Sequence, residues 1–152
     1  MFEKIYPPTF ERVKLHTSKS VNKKIQKQTL ENVKYFIDKD KNAISQRIKK
    51  LDKEWDTERV LEANAALIIL ISTILGFTIS RWWFVFLGFI AFFLFQHAVQ
   101  GWCPPLPIIR RLGIRTATEI DEEKVALKMI RKDFEGFKNE PENICQHARL
   151  NE

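Results

Sequence analysis

Glycine is scarce in this chain, five residues in 152, and no two stand close enough to form the loop that cradles a phosphate. Cysteine is scarcer. Cys103 and Cys145 cannot build a disulfide framework, and on the cytoplasmic side of a membrane they read as free thiols. There is no serine triad pattern and no pair of carboxylates inside an apolar run, so the usual hydrolase and proton-transport signatures are missing. The opening MFEKIYPPTFERVK has no apolar core of the signal-peptide kind, so membrane insertion is expected to depend on the interior of the chain. A net charge of +6 raises the idea of nucleic-acid binding, but neither an aromatic platform nor a recognisable module accompanies it.

Charge itself is missing from one long stretch. Between residues 63 and 99 the only Lys, Arg, Asp or Glu is Arg81, which separates apolar runs of 17 residues (63–79) and 18 residues (82–99). At ~1.5 Å per residue each run covers roughly 26 Å as a helix, enough for a short membrane span. Neither run has a polar face, which argues against a pair of core helices in a soluble protein. Strands are disfavoured because an isolated strand cannot satisfy its backbone in lipid. Trp82 and Trp83 stand at the tip, with Trp55 and Trp102 just outside the opposite ends, so indole anchors mark both membrane faces. Lys49, Lys50, Lys53 and Arg59 precede the first run, and Arg110, Arg111 and Arg115 follow the second. The positive-inside bias then puts both termini in the cytoplasm. The fold class is all-α, an integral membrane two-helix hairpin with amphipathic cytoplasmic helices on both sides.

Three regions follow: a basic amino-terminal helical arm (1–62), the hairpin (63–99) and a carboxy-terminal segment (100–152). The first arm holds 15 Lys or Arg against 10 Asp or Glu, which suits anionic headgroups; the last segment holds nine of each. Ser20 is a plausible N-cap for a helix to about Ile37, carrying Val21, Ile25, Val33 and Ile37 as apolar marks. DKDKN at 38–42 reads as a break. Ile44, Ile48, Leu51 and Trp55 then form one helical stripe, fit for a membrane surface or a partner helix. Asp56 or Thr57 could cap a helix that runs into the first span. After the second span, Gly101 and Pro104, Pro105 and Pro107 end the helix. Residues 108–112 could form one interfacial turn. Thr118 then caps a helix over about 119–134 whose apolar face is Ile120, Leu127, Ile130 and Phe134, with a loose tail beyond.

Gln96, Gln100 and Cys103 fall at helical spacing on one face, with His97 and Gly101 on the adjacent strip. Polar groups at this depth either satisfy one another and backbone groups freed by the prolines, or line a ligand site. Cys103 is the one candidate nucleophile, and two readings stand: Arg110, Arg111 or the following turn favours its thiolate, or it is a small apolar residue packed at a helix end. His97, Cys103, Cys145 and His147 make a two-Cys, two-His set without a common zinc spacing, and no haem-attachment motif exists, so no metal or cofactor is assigned. Ser72, Gly76 and Ser80 recur every four residues, a strip that would let two helix backbones approach within the hairpin or between chains.

The stretch GWCPPLPIIRRLG, following the second apolar run, resembles the YgaP-like transmembrane domain, a bacterial two-helix membrane module. LDKEWDTERVLEANAA, QHAVQGWCPP and RTATEIDEEKVALK extend the similarity to uncharacterised relatives over roughly residues 13–134. The resemblance implies a bacterial inner-membrane hairpin. In some relatives the module follows a rhodanese domain, which carries sulfur as a cysteine persulfide. This chain departs from them: no rhodanese-sized domain is present, and neither Cys103 nor Cys145 is followed five residues on by the arginine of that active-site loop. The first expectation is therefore a non-catalytic scaffold or partner-binding protein in contact with the lipid bilayer, self-associating as a dimer through its hairpin. The alternatives are a thiol-dependent accessory of sulfur metabolism, served by a soluble sulfur-carrier protein, and a small transporter or channel.

Overall fold

The computed structural model describes residues 7–135, and every regular element in that range is an α-helix. In order they are α1 (Arg12–Leu15), α2 (Lys19–Phe36), α3 (Lys41–Leu51), α4 (Thr57–Thr78), α5 (Trp82–Gln100), α6 (Leu106–Arg111) and α7 (Ala117–Arg131). Two compact units share them. One takes the chain up to Ile25 together with Trp55–Ala117, and the other takes Gln26–Glu54 and continues from Thr118.

The first unit is built on the hairpin. Asp56 caps α4 by accepting from the Arg59 amide at 2.7 Å, so the helix starts before the apolar run and carries the charged TERVLE turn with it. Both α4 (22 residues) and α5 (19 residues) are long and apolar enough to cross a membrane. Ser72 and Gly76 are buried where the two helices meet, and a Cβ on Gly76 would lie 2.8 Å from the Phe84 ring. Two members of the small-residue strip are thus spent on closing the hairpin. Ser80 lies beyond the end of α4, in the turn. α5 stops at Gly101, whose φ of +80° is the left-handed conformation that glycine tolerates, and whose amide returns to the His97 carbonyl at 2.7 Å.

Beyond that stop, Pro104 and Pro105 lead into α6, which turns back over the start of α4. Leu106 and Ile109 pack with Val13, Leu61 and Cys103 in one small core. The Thr57 amide donates to the Arg115 carbonyl at 2.8 Å, and its hydroxyl donates to the same oxygen at 2.9 Å, which pins the start of α4 to the segment after α6. Arg110 is fully buried and donates to Thr17 Oγ1 (3.1 Å), Asn22 Oδ1 (3.1 Å) and the Ile114 carbonyl (2.9 Å). Arg110 therefore ties the amino-terminal segment down.

The second unit uses the α3 stripe. Ile44, Ile48 and Leu51 are buried against Ile120 and Leu127 of α7, with Phe36 and Ile130 packed on the edge. The expected partner helix belongs to this chain. Trp55 does not extend the stripe, because α3 ends at Leu51; it lies half exposed with the Arg59 guanidinium 4.4 Å from its ring centroid. Glu123, 0 % exposed, accepts from Arg47 Nε at 2.8 Å and Asn32 at 3.1 Å. Lys124 pairs with Asp52 at 2.9 Å, and that bond holds its ammonium above the ordinary lysine range. Two helix starts differ from expectation by a residue or two. The Ser18 hydroxyl, rather than Ser20, meets the first turn of α2, and Thr118 lies inside α7 rather than before it.

Candidate functional site

Where α5 ends, the chain brings four side chains from three segments together. His97 faces α4 and is 3 % exposed, with Nε2 2.8 Å from Glu58 Oε2. Arg12, from α1, donates to Glu58 Oε1 at 3.0 Å and to the Ala98 carbonyl at 2.7 Å. Cys103, 4 % exposed, lines the same cavity as His97. A Cβ at Gly101 would lie 2.6 Å from the Arg12 backbone, so only glycine lets α1 seat here and aim that guanidinium at Glu58.

The protonation pattern follows from the partners. An ionised carboxylate only accepts, so Nε2 of His97 carries the hydrogen shared with Glu58. In the neutral ring Nδ1 is then a bare lone pair. Nδ1 is buried and has no hydrogen-bond partner among the described residues. A nucleophile beside a base that a third group orients is the arrangement that activates a thiol. The chemistry open to it is proton transfer from Cys103 to His97, leaving a thiolate beside an imidazolium.

His97 and Cys103 line a cavity of about 440 Å3, with Leu61, Pro104, Pro105, Ile108 and Ile109 beside them. His97, Cys103 and Asn64 bring the polar atoms, while Ile68, Ile90, Phe93 and Leu94 form the walls toward the tip of the hairpin. A larger hollow of about 560 Å3 between α2 and α3 is lined by Lys39, Gln46, Arg47 and Lys50 and holds no thiol or histidine.

The polar face expected from helical spacing is rearranged. Cys103 does not share a face with Gln96 and Gln100, because α5 ends before it and Gly101 reverses the backbone. The two glutamines are half-buried and bond to each other at 3.4 Å, while His97, placed on the neighbouring strip, lines the same cavity as the thiol. Glu58 and Arg12 went unnoticed in the sequence. A buried histidine needs a partner, and Glu58 and Glu62 are the carboxylates that lead into the first span. Trp82 is exposed at the tip, Trp83 packs edge-on to Phe86, and Trp102 lies 6.4 Å from Phe93 by ring centroid. Of the two-Cys, two-His set only His97 and Cys103 are described; Cys145 and His147 lie outside the described residues, as does the tail.

Fold and composition together define an integral membrane protein built on a helical hairpin. Residues 56–119 match the family model described as inner membrane protein YgaP-like, transmembrane domain. The match includes Glu58, His97, Gly101 and Cys103 and excludes Arg12. No curated protein and no solved structure matches the chain.

Proposed function

We propose that this chain is an inner-membrane thiol protein in which Cys103 accepts sulfane sulfur and holds it as a persulfide. The observation that carries the reading is buried His97, held by Glu58 and with an unpartnered ring nitrogen, on the cavity that buried Cys103 also lines. A scaffold has no use for a carboxylate and a guanidinium that fix a buried imidazole in the same cavity as a buried thiol, and burying an unpartnered ring nitrogen costs stability. The sulfur chemistry rests on the YgaP-like domain, whose relatives include rhodanese fusions.

The transfer balances without an external oxidant. His97 takes the thiol proton, and Sγ attacks the outer sulfur of a donor persulfide R–S–SH. The donor's S–S bond breaks as the new one forms, and R–S⁻ leaves with the proton from His97 as R–SH. Cys103 is the nucleophile, His97 the base and then the acid; Glu58 orients His97, and Arg12 positions Glu58.

We further propose that both termini are cytoplasmic, which puts Cys103 at the inner end of α5. Self-association would use the outer face of α5, where Phe89, Phe92 and Phe95 are exposed, since Ser72 and Gly76 are already engaged inside the hairpin. The functional reading is tested by trapping persulfides in native membranes and locating them by mass spectrometry. Persulfide on Cys103, reduced several-fold in His97→Gln, is expected. Its absence from Cys103 while other membrane thiols carry it would refute the reading and return the scaffold to first place.

A further inference from the structure

We infer that the donor to Cys103 is an uncharged, lipid-soluble sulfane-sulfur compound that reaches the thiol through the cavity from the bilayer. This rests on the proposal that Cys103 accepts sulfur; the route and the chemical class of the donor are what the cavity adds.

The walls decide the class. None of the cavity's lining residues is Lys, Arg, Asp or Glu. The nearest charges, Arg12 and Glu58, are bound to each other and do not line it. An anionic donor such as glutathione persulfide would shed its water there with no counter-charge to meet it, which is strongly unfavourable. An apolar donor gains from the same walls. A cavity of about 440 Å3 is also of the size that takes a small organic molecule whole.

The position decides the route. Ile68 lies in the apolar run of α4, and Ile90, Phe93 and Leu94 in that of α5, so those walls lie at hydrocarbon depth. At the other end Cys103 is closed over by Val13, Leu61, Leu106 and Ile109, and only 4 % of it is exposed. Pro104, Pro105 and Ile108 also line this end and are exposed, so any approach here passes only apolar side chains, while the lipid side carries the apolar walls of α4 and α5. Ring sulfur, the simplest lipid-soluble sulfane, would react without a leaving group. The Cys103 proton passes to His97 and Sγ attacks one ring sulfur. One ring S–S bond breaks, and the charge moves to the far end of the opened chain. The cysteine becomes a polysulfide with all atoms retained.

The test uses the full chain in phosphatidylcholine vesicles, with ring sulfur dissolved in the lipid or glutathione persulfide supplied in water. Sulfur on Cys103 is measured by mass spectrometry. Each rate is normalised to a reference thiol at the hairpin turn, Ser80→Cys in a Cys103→Ser background. A normalised preference of at least tenfold for ring sulfur is expected. Ile90→Trp, which fills the cavity from its lipid side, should lower the ring-sulfur rate several-fold, and Ile68→Phe serves the same purpose if that variant fails to fold. Equal or faster loading from glutathione persulfide would overturn the lipid route and leave the thiol function standing. Unchanged ring-sulfur loading in a folded cavity-filling variant would do the same. Loading from neither donor would overturn both.

Discussion

Replacing Gly101 by alanine should unseat α1. The backbone there has φ +80°, and a Cβ would lie 2.6 Å from the carbonyl carbon and the Cβ of Arg12. A non-glycine residue in the left-handed region costs roughly 1–2 kcal/mol. The clash adds to this, and because it is with backbone no side-chain rotation relieves it. The easiest relief is for the segment around Arg12 to lift away, losing its bonds to Glu58 and to the Ala98 carbonyl. A part-buried hydrogen bond to a charged group is worth ~1.5–3 kcal/mol. Those bonds hold α1 down and resist the opening, so the clash alone drives it; overpacking against backbone costs ~1–3 kcal/mol, roughly tenfold to a hundredfold in the opening equilibrium. Hydrogen exchange on the full chain in detergent reads this directly. The Leu15 and Thr17 amides, bonded to the Glu11 and Lys14 carbonyls, should exchange roughly tenfold or more faster in Gly101→Ala. Amides in α3 should not change. Protection of Leu15 and Thr17 equal to wild type would refute the assignment of Gly101 as the seat of α1.

Other expectations follow from packing and charge. Gly76→Ile should lower the thermal midpoint of the hairpin, since even its first carbon would sit 2.8 Å from the Phe84 ring, and adding Phe84→Ala should restore part of the loss. A drop in dimer crosslinking without a stability change would instead put that strip between chains. Glu123→Gln removes the charge facing Arg47 at a fully buried position and should cost ~3 kcal/mol in urea unfolding; a cost under ~1 kcal/mol would mean that the pair contributes little. With Cys103 and Cys145 replaced, a cysteine at Ser80 should be labelled from outside intact cells and one at Thr9 should not. The reverse pattern would invert the topology.

The membrane hairpin was legible because lipid demands a long uncharged run, and composition alone reports that. The α3 stripe was legible as a face, since spacings of four and three survive in any helix. What covered it was not, because Leu127 lies 76 positions beyond Leu51 and nothing in the pattern of α3 names α7. The site failed in an instructive way. Helical spacing was extended from Gln96 through Gln100 to Cys103, yet Gly101 breaks the period in between, and a reversal of the chain moves the thiol to the His97 side. The same glycine had been counted only as a helix stop. Its second property, the close approach of Arg12, depends on tertiary contact and has no local signature. Arg110 was read as a membrane-side cation, but it is buried on Thr17 and Asn22, which a charge count cannot reveal.

The central claim is that His97, oriented by Glu58, draws the proton from Cys103. It is tested most directly by the rate at which methyl methanethiosulfonate, small and uncharged, modifies Cys103 at pH 7 in folded protein. Cys145 is replaced throughout. A general base contributes about a hundredfold or more to a step that needs it. His97→Gln, which keeps a polar side chain but no base, should therefore slow the reaction by at least tenfold, and Glu58→Gln should slow it by a smaller factor. Rates within twofold of wild type in both variants, with hairpin stability unchanged, would contradict it.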